Sequence, residues 1–264
     1  TVVDAGSAGR PNRYYRVRLA NTYNPDPERL VWIQPGTFWM GSSGNEVGRE
    51  TDEHLLTPVS LTSEFLIGKR EVTQEEFAAL MGANPSGFTG LTNLPVENVL
   101  FSEAVEYCRR LTETERQVGR LPSDWVYRLP TEAEWEFACR AGTTNRFSFG
   151  DDPDYSLSGN FAWHLGNSGN TSHPVGTKEP NPWGLFDIHG NVWEWCWGQH
   201  SDELPGIEVT DPIGIVKGAI GVVRGGSWFA DSSLSRSASR NWWYYESRTT
   251  QVGFRVVVGK PLPE

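Results

Sequence analysis

Residues 184–195 read Gly-Leu-Phe-Asp-Ile-His-Gly-Asn-Val-Trp-Glu-Trp, and residues 224–228 read Arg-Gly-Gly-Ser-Trp. The first stretch sets Asp187 and Glu194 seven positions apart, with Gly190 and Asn191 between them. A loop of that composition curls, so that two carboxylates and the carbonyls of Gly190 and Val192 converge. Oxygen sets of this kind, six to eight in number, are what a hard cation such as calcium takes. The competing reading is that Glu194 caps a turn and Asp187 is solvated.

Three helices announce themselves upstream. Thr73-Gln-Glu-Glu76 is a capping box, followed by Phe77, Leu80 and Met81 on one face and closed by Gly82. Ser102 is the expected cap of a helix that turns Ala104, Val105, Cys108 and Leu111 inward. Thr131-Glu-Ala-Glu134 is a second capping box, with Trp135, Ala138 and Cys139 inward and Gly142 as the stop. Leu30–Ile33 and Thr37–Met40 read as strands joined at Gln34-Pro-Gly36, and Val59–Phe65 alternates as a half-buried strand does. After residue 142 no helical pattern recurs, so short strands and ordered loops are expected.

Composition bounds the rest. The chain has 264 residues, enough for one large domain with a substantial core. Its net charge of -10 argues against a nucleic-acid backbone as partner. No apolar run approaches the ~20 residues that span a bilayer. Twelve Trp and 28 Gly suggest a loop-rich domain held by aromatic clusters. Cys108, Cys139 and Cys196 have no paired Cys/His spacing, which disfavours zinc; buried thiols are the default, with a Cys108–Cys139 disulfide as the alternative. The absence of an initiator Met and of a signal peptide reads Thr1 as a processed or trimmed start.

Five motifs stand in order along the chain: Gly36-Thr-Phe-Trp-Met-Gly-Ser42, Lys69-Arg-Glu-Val-Thr73, Leu129-Pro-Thr-Glu-Ala-Glu-Trp135, the 184–195 and 224–228 stretches together, and Val252-Gly-Phe-Arg255. On these the sequence resembles the formylglycine-generating enzyme family, also called sulfatase-modifying factors, over roughly residues 30–258. The resemblance implies an α+β sulfatase-modifying-factor fold related to the C-type-lectin fold, with low regular secondary structure, short strands and long ordered loops. It sets a domain at 29–260 and leaves 1–28 as an N-terminal extension or the tail of a preceding module. Within residues 1–28, Arg13–Leu19 reads as a short alternating strand.

The resemblance also implies site residues. Calcium would be held by Asp187, Gly190, Val192 and Glu194, and a second calcium by Asn160, Phe161, Asn167 and Gly169, where an Asn stands for an expected acid. The family's enzymes bind copper through two cysteine thiolates just after Gly-Gly-Ser and oxidise a substrate cysteine to formylglycine. Here that stretch is Phe229-Ala-Asp-Ser-Ser-Leu-Ser-Arg-Ser-Ala-Ser-Arg240, without cysteine. Soft thiolates select copper(I), and serine cannot replace them. The oxidase reading is therefore disfavoured. So is a second enzymatic alternative, an iron-dependent sulfoxide synthase, because this sequence carries no helical domain with a His-rich motif. His189 reads as a structural histidine.

Four consecutive aromatics, Trp242-Trp-Tyr-Tyr245, cannot all point inward, and Ser, Thr and Asn flank them. Exposed Trp and Tyr in such company is the composition of a recognition surface, and in one branch of the resembled fold, the C-type-lectin-like variable proteins, the equivalent segment binds ligand. The expected function is a non-catalytic, extracytoplasmic binding or scaffold domain, stabilised by calcium, as part of a larger extracellular protein or complex. It would recognise a protein or glycan through Phe229, Asp231, Trp242, Trp243, Tyr244 and Tyr245.

Overall fold

Capping chemistry sets two of the helices where the sequence places them. The structure, a computed structural model, describes residues 26–262, so the expected strand at Arg13–Leu19 lies outside the described residues. Helix α1 (Gln74–Met81) starts where Thr73 Oγ1 accepts from the Glu76 N–H at 3.2 Å and the Thr73 N–H donates to Glu76 Oε2 at 2.9 Å. It ends at Gly82, whose φ of 83° is a left-handed conformation that glycine adopts without strain. Helix α3 (Glu132–Arg140) repeats the box with Thr131 and Glu134. Helix α2 (Phe101–Gln117) departs from expectation: its cap is Leu100, whose N–H donates to Glu103 Oε2 at 2.9 Å, so Ser102 lies inside the first turn.

Three small sheets surround these helices. One has the order β1 (Leu30–Ile33), β4 (Phe65–Gly68), β11 (Val257–Gly259), β5 (Val126–Arg128). A second runs β10 (Val252–Gly253), β6 (Trp193–Gln199), β8 (Ile220–Arg224), β9 (Arg240–Tyr244), and a third β2 (Gly36–Met40), β3 (Thr57–Leu61), β7 (Val209–Thr210). The strands before and after Gln34-Pro35 thus belong to different sheets: β1 pairs with β4 and β2 with β3. The expected single strand at 59–65 is divided into β3 and β4. After residue 142 the described residues hold one four-residue α-helical turn, α4 (Ser158–Phe161), and a 3-10 turn at Ser232–Ser235. The remainder is loop and short strand, as the Gly- and Asn-rich sequence implies.

Period-two alternation in β6 and β8 divides the core in two. Trp193, Trp195 and Val223 join one cluster with Phe101, Tyr107 and Phe254. Cys196 and Val222 join the other, with Trp135 and Ala138 of α3. Cys108 lies in the first cluster and Cys139 in the second. All three cysteines are buried free thiols, so the alternative Cys108–Cys139 disulfide is not formed.

Between these layers runs a set of buried ion pairs. Arg224, fully buried in β8, donates to Glu136 Oε2 at 2.5 Å and to Glu132 Oε1 at 3.0 Å. Arg240 at the head of β9 donates to Glu132 Oε1 at 2.7 Å, and Arg140 Nε to Glu136 Oε1 at 2.9 Å. Arg236 grips Glu53 with both Nη atoms, at 2.8 and 2.5 Å. The acids of α3 and the arginine of Arg-Gly-Gly-Ser are two halves of one electrostatic unit. Burial alone would raise Glu132; Arg240 and Arg224 outweigh it and hold that carboxyl down at about 2.

Candidate functional site: a buried acid cluster and an aromatic edge

The 184–195 stretch folds as an irregular loop running into β6. Asp187 (φ 57°) and Asn191 (φ 65°) both take left-handed conformations that tighten it. Gly190 is required by close approach, because a Cβ there would lie 2.5 Å from the Trp163 carbonyl oxygen. Three buried carboxylates gather around this loop. Glu194 accepts Arg255 Nε and Nη2 at 2.6 Å each and Trp135 Nε1 at 2.8 Å. Asp187 Oδ2 accepts the Gly176 N–H at 2.6 Å, while its Oδ1 is buried without a partner. Glu71 accepts the Asn191 side-chain amide at 2.8 Å and the Val192 N–H at 3.1 Å.

One buried guanidinium, Arg255, lies among the three acids and bonds only Glu194 of them. Besides Glu194, Arg255 donates to the carbonyls of Gly68 at 2.9 Å and Phe186 at 3.0 Å. Burial, then the charges of Asp187 and Glu194, push the Glu71 carboxyl well up. Burial raises Asp187 to about 6. The sequence-predicted residues Asp187, Gly190, Val192 and Glu194 are brought together in one loop and strand start, but the Glu194 carboxylate is turned onto Arg255. Sequence reasoning passed over Glu71 as a site residue. It belongs to the Lys-Arg-Glu-Val-Thr motif, and an acid followed by the capping Thr73 was the available signal.

The residues of the second predicted cation site are differently engaged. Asn167 closes its own turn, accepting the His164 N–H and donating to the Ala162 carbonyl, both at 2.9 Å. The carbonyl of Asn160 accepts the Glu179 N–H at 2.9 Å. Phe161 stacks on Phe149 with centroids 4.1 Å apart, and Gly169 is an exposed turn residue with φ 64°. Among the described residues, the acidic group whose ligand atoms all lie within 4.8 Å of one another is Glu50, Asp52 and Glu53. Arg236 already neutralises Glu53 there.

The segment after Gly-Gly-Ser carries no thiol. Ala230 is buried. Ser235 Oγ is buried without a partner, and Asp231 Oδ1 caps the 3-10 turn by accepting the Ser233 N–H at 2.9 Å. The three thiols sit elsewhere and burial keeps them protonated, Cys139 pushed up to about 12 and Cys108 and Cys196 also raised well above the ordinary thiol range. His189 is held between the Ser235 carbonyl and Ser148 Oγ, both at 2.8 Å, and burial lowers it to about 4. It is a neutral structural imidazole.

The aromatic run divides by strand alternation. Trp242 and Tyr244 stand on the outside of edge strand β9, 42% and 51% exposed, with rings 5.5 Å apart at 83°. Trp243 is half-buried against the first core cluster. Tyr245 is buried, its hydroxyl donating to the Gly198 carbonyl at 3.0 Å. Trp243 and Tyr245, expected on the binding face, are therefore core-directed. Of the six residues expected there, Phe229, Asp231, Trp242 and Tyr244 are exposed.

The profile described as "Sulfatase-modifying factor enzyme 1-like domain" matches residues 18–260. The chain is 33% identical to a formylglycine-generating enzyme of Thermomonospora curvata over 86% of this chain and 92% of that protein. It is 34% identical to the chaperone protein LppX of Paenibacillus barcinonensis over 53% of this chain, and it spans 64% of that protein, less than two thirds. The solved structure of Treponema denticola variable protein 1 superposes with a TM-score of 0.76 at 32% identity, over 88% of this chain and 95% of the other. Among the described residues no helix is long and apolar enough to cross a membrane.

Proposed function

The chain belongs to the sulfatase-modifying factor enzyme 1-like family, and from that premise we propose that it is a non-catalytic, extracytoplasmic binding domain that recognises a protein or glycan through Phe229, Trp242 and Tyr244. The observation that carries this reading is the outward pair Trp242 and Tyr244 on an edge strand whose intervening residue is packed inward. Such rings present large, rigid area at little entropic cost. The family's oxidation of cysteine needs soft thiolate ligands for copper, and the segment after Gly-Gly-Ser holds alanine and serines instead. The likeness to a variable protein supports recognition over turnover.

We further propose that calcium stabilises the 184–195 loop. The residues fit a divalent cation: Asp187 Oδ1 is a buried oxygen without a donor, and Glu71 and Asp187 are buried acids that the spent Arg255 does not bond. Asp187 and the carbonyls of Gly190 and Val192 would hold the ion, with Glu194 shared between it and Arg255. Bound calcium would supply positive charge and pin the loop; it has no part in a reaction.

The test uses an array of defined glycans and candidate extracellular proteins, followed by titration of the binders. Trp242→Ala combined with Tyr244→Ala is expected to weaken binding at least tenfold with the fold intact. Undiminished binding by that variant overturns the assignment of the face. A formylglycine aldehyde formed from a cysteine peptide in the presence of copper, seen by mass spectrometry, overturns the non-catalytic reading.

A further inference from the structure

Glu97 is completely buried, and among the described residues its carboxyl group meets no cation. Oε1 accepts the Phe88 N–H at 2.8 Å, while Oε2 is buried with no partner. A buried polar atom left unsatisfied calls for an explanation. The surroundings supply one, because the carboxyl lies under a loop that side chains hold closed. Asn98 Nδ2 donates to the Pro85 carbonyl at 2.7 Å, Gln74 Nε2 to the Phe88 carbonyl at 2.8 Å, and the Glu97 N–H to Ser86 Oγ at 3.2 Å.

The same loop closes on a second surface. Gly87 rests on Thr250 so tightly that a Cβ would lie 2.6 Å from Thr250 Cγ2. The Phe88 ring stands edge-on to Trp228, centroids 5.1 Å apart at 85°. Trp228 Nε1 donates to the Thr250 carbonyl at 2.9 Å, and its ring touches that of exposed Phe229.

Among the described residues, no charge is placed to compensate an ionised Glu97. Residues 84–90 and 249–253 carry no charged side chain. Arg248 is committed to Glu103, at 2.6 and 2.8 Å, and to the Asn98 carbonyl at 2.6 Å. On α1, Gln74 faces the loop and its neighbour Glu75 is exposed. A carboxylate buried without a cation is far costlier than a protonated carboxyl in the same place.

We propose that Glu97 is a proton-held latch: protonated, it lets residues 84–90 lie closed over it, and its ionisation releases that loop from Thr250 and from the Trp228 ring. The proton goes to solvent, and the charge left behind is hydrated only when the loop lifts. Opening uncovers the Phe88–Trp228 contact beside exposed Phe229; the latch stands whether or not Phe229 takes part in binding. In agreement with this geometry, burial raises the Glu97 carboxyl to about 7, against the opposing pull of the Phe88 amide on Oε1.

Hydrogen exchange of the full chain between pH 5.5 and 8.5, corrected for the intrinsic chemical rate, reads the latch at the Phe88 amide and its neighbours. Protection of residues 86–90 is expected to fall at least tenfold as pH rises from 5.5 and to level off above about 7, while β8 amides keep theirs. Glu97→Gln, which keeps the oxygen acceptor and cannot ionise, is expected to hold the loop closed across the range. Flat protection in the wild type, or an equal loss in the variant, overturns the proposal. Should the variant fail to fold, the carboxyl carbon of Glu97 in the wild type, correlated to its own backbone amide by NMR, decides independently. A midpoint about 7 supports the latch, and one below about 5, the ordinary range for a glutamate, overturns it.

Discussion

Strand β8 and its edge neighbour β9 lie side by side in one sheet and do opposite things with their side chains. Arg224 in β8 is fully buried and locked to Glu132 and Glu136 of α3. Two and four residues past Arg240, the partner of Arg224 across the ladder, Trp242 and Tyr244 face solvent. The first region consists of motif residues that hold one another; the second presents two rings that touch each other and are about half exposed. The motifs that identify this family are mostly halves of ion pairs, and the surface with most freedom to recognise something lies where the pairing stops.

The largest expected effect breaks the buried half. Arg224→Met removes one cation from above two buried acids, and stripping one member from such a network costs about 3–5 kcal/mol. At roughly 2–4 °C per kcal/mol for a domain of this size, the melting temperature should fall by roughly 10 °C. A drop of less than about 2 °C would show that Glu132 and Glu136 are satisfied without it.

Acid should erode the same lattice. Glu132 is held at about 2, below the ordinary 4.5, so its contribution is present above the unfolded value and is lost as pH falls from 4.5 toward 2. Over that window the slope should reach about 1.4 kcal/mol per pH unit from this one group. Urea denaturation at stepped pH measures it, and Glu132→Gln should flatten the profile. Glu97 has the reverse sign. Its folded value of about 7 lies above 4.5, so stability declines as pH rises from 4.5 through 7.

The acids without a guanidinium sharpen the comparison next. If calcium binds at Asp187 and the carbonyls of Gly190 and Val192, a hundredfold excess over its Kd adds about 2.7 kcal/mol. A chelator should then lower the melting temperature, and Asp187→Ala should abolish that sensitivity. Identical melting curves with and without chelator would remove the ion from the account.

The smallest expected effect belongs to the exposed half. Trp242→Ala with Tyr244→Ala should shift stability by no more than about 0.5 kcal/mol, as surface changes do. Tyr245→Ala should cost about 3–5 kcal/mol, because its ring fills core. Thermal melts of the two variants side by side check the contrast; equal losses would collapse the distinction between the faces.

Much of this was legible in the sequence and some was not. The capping boxes at Thr73 and Thr131 form as their spacing implies, since the bonds involved are local. The cap of α2 was misplaced at Ser102, because Glu103 reaches back to the Leu100 amide and Arg248, distant in sequence, braces it. The separation of β1 from β2 was hidden for a similar reason: pairing partners are chosen by the whole sheet. At the candidate site, the loop carrying Asp187 and Glu194 could be read from spacing. That Arg255 would claim Glu194, and that Glu71 would join the cluster, depends on contacts across 61 and 121 positions that no local pattern records.

The alternation along β9 has a consequence for how this protein can change over generations. A substitution at 242 or 244 alters what the molecule presents and leaves its folding alone, whereas one at 243 or 245 is judged first by the core. Such a strand separates inheritance of shape from inheritance of specificity residue by residue. New recognition can be explored at the outward positions while the inward ones keep the register, and a library confined to 242 and 244 should yield folded proteins at nearly every codon.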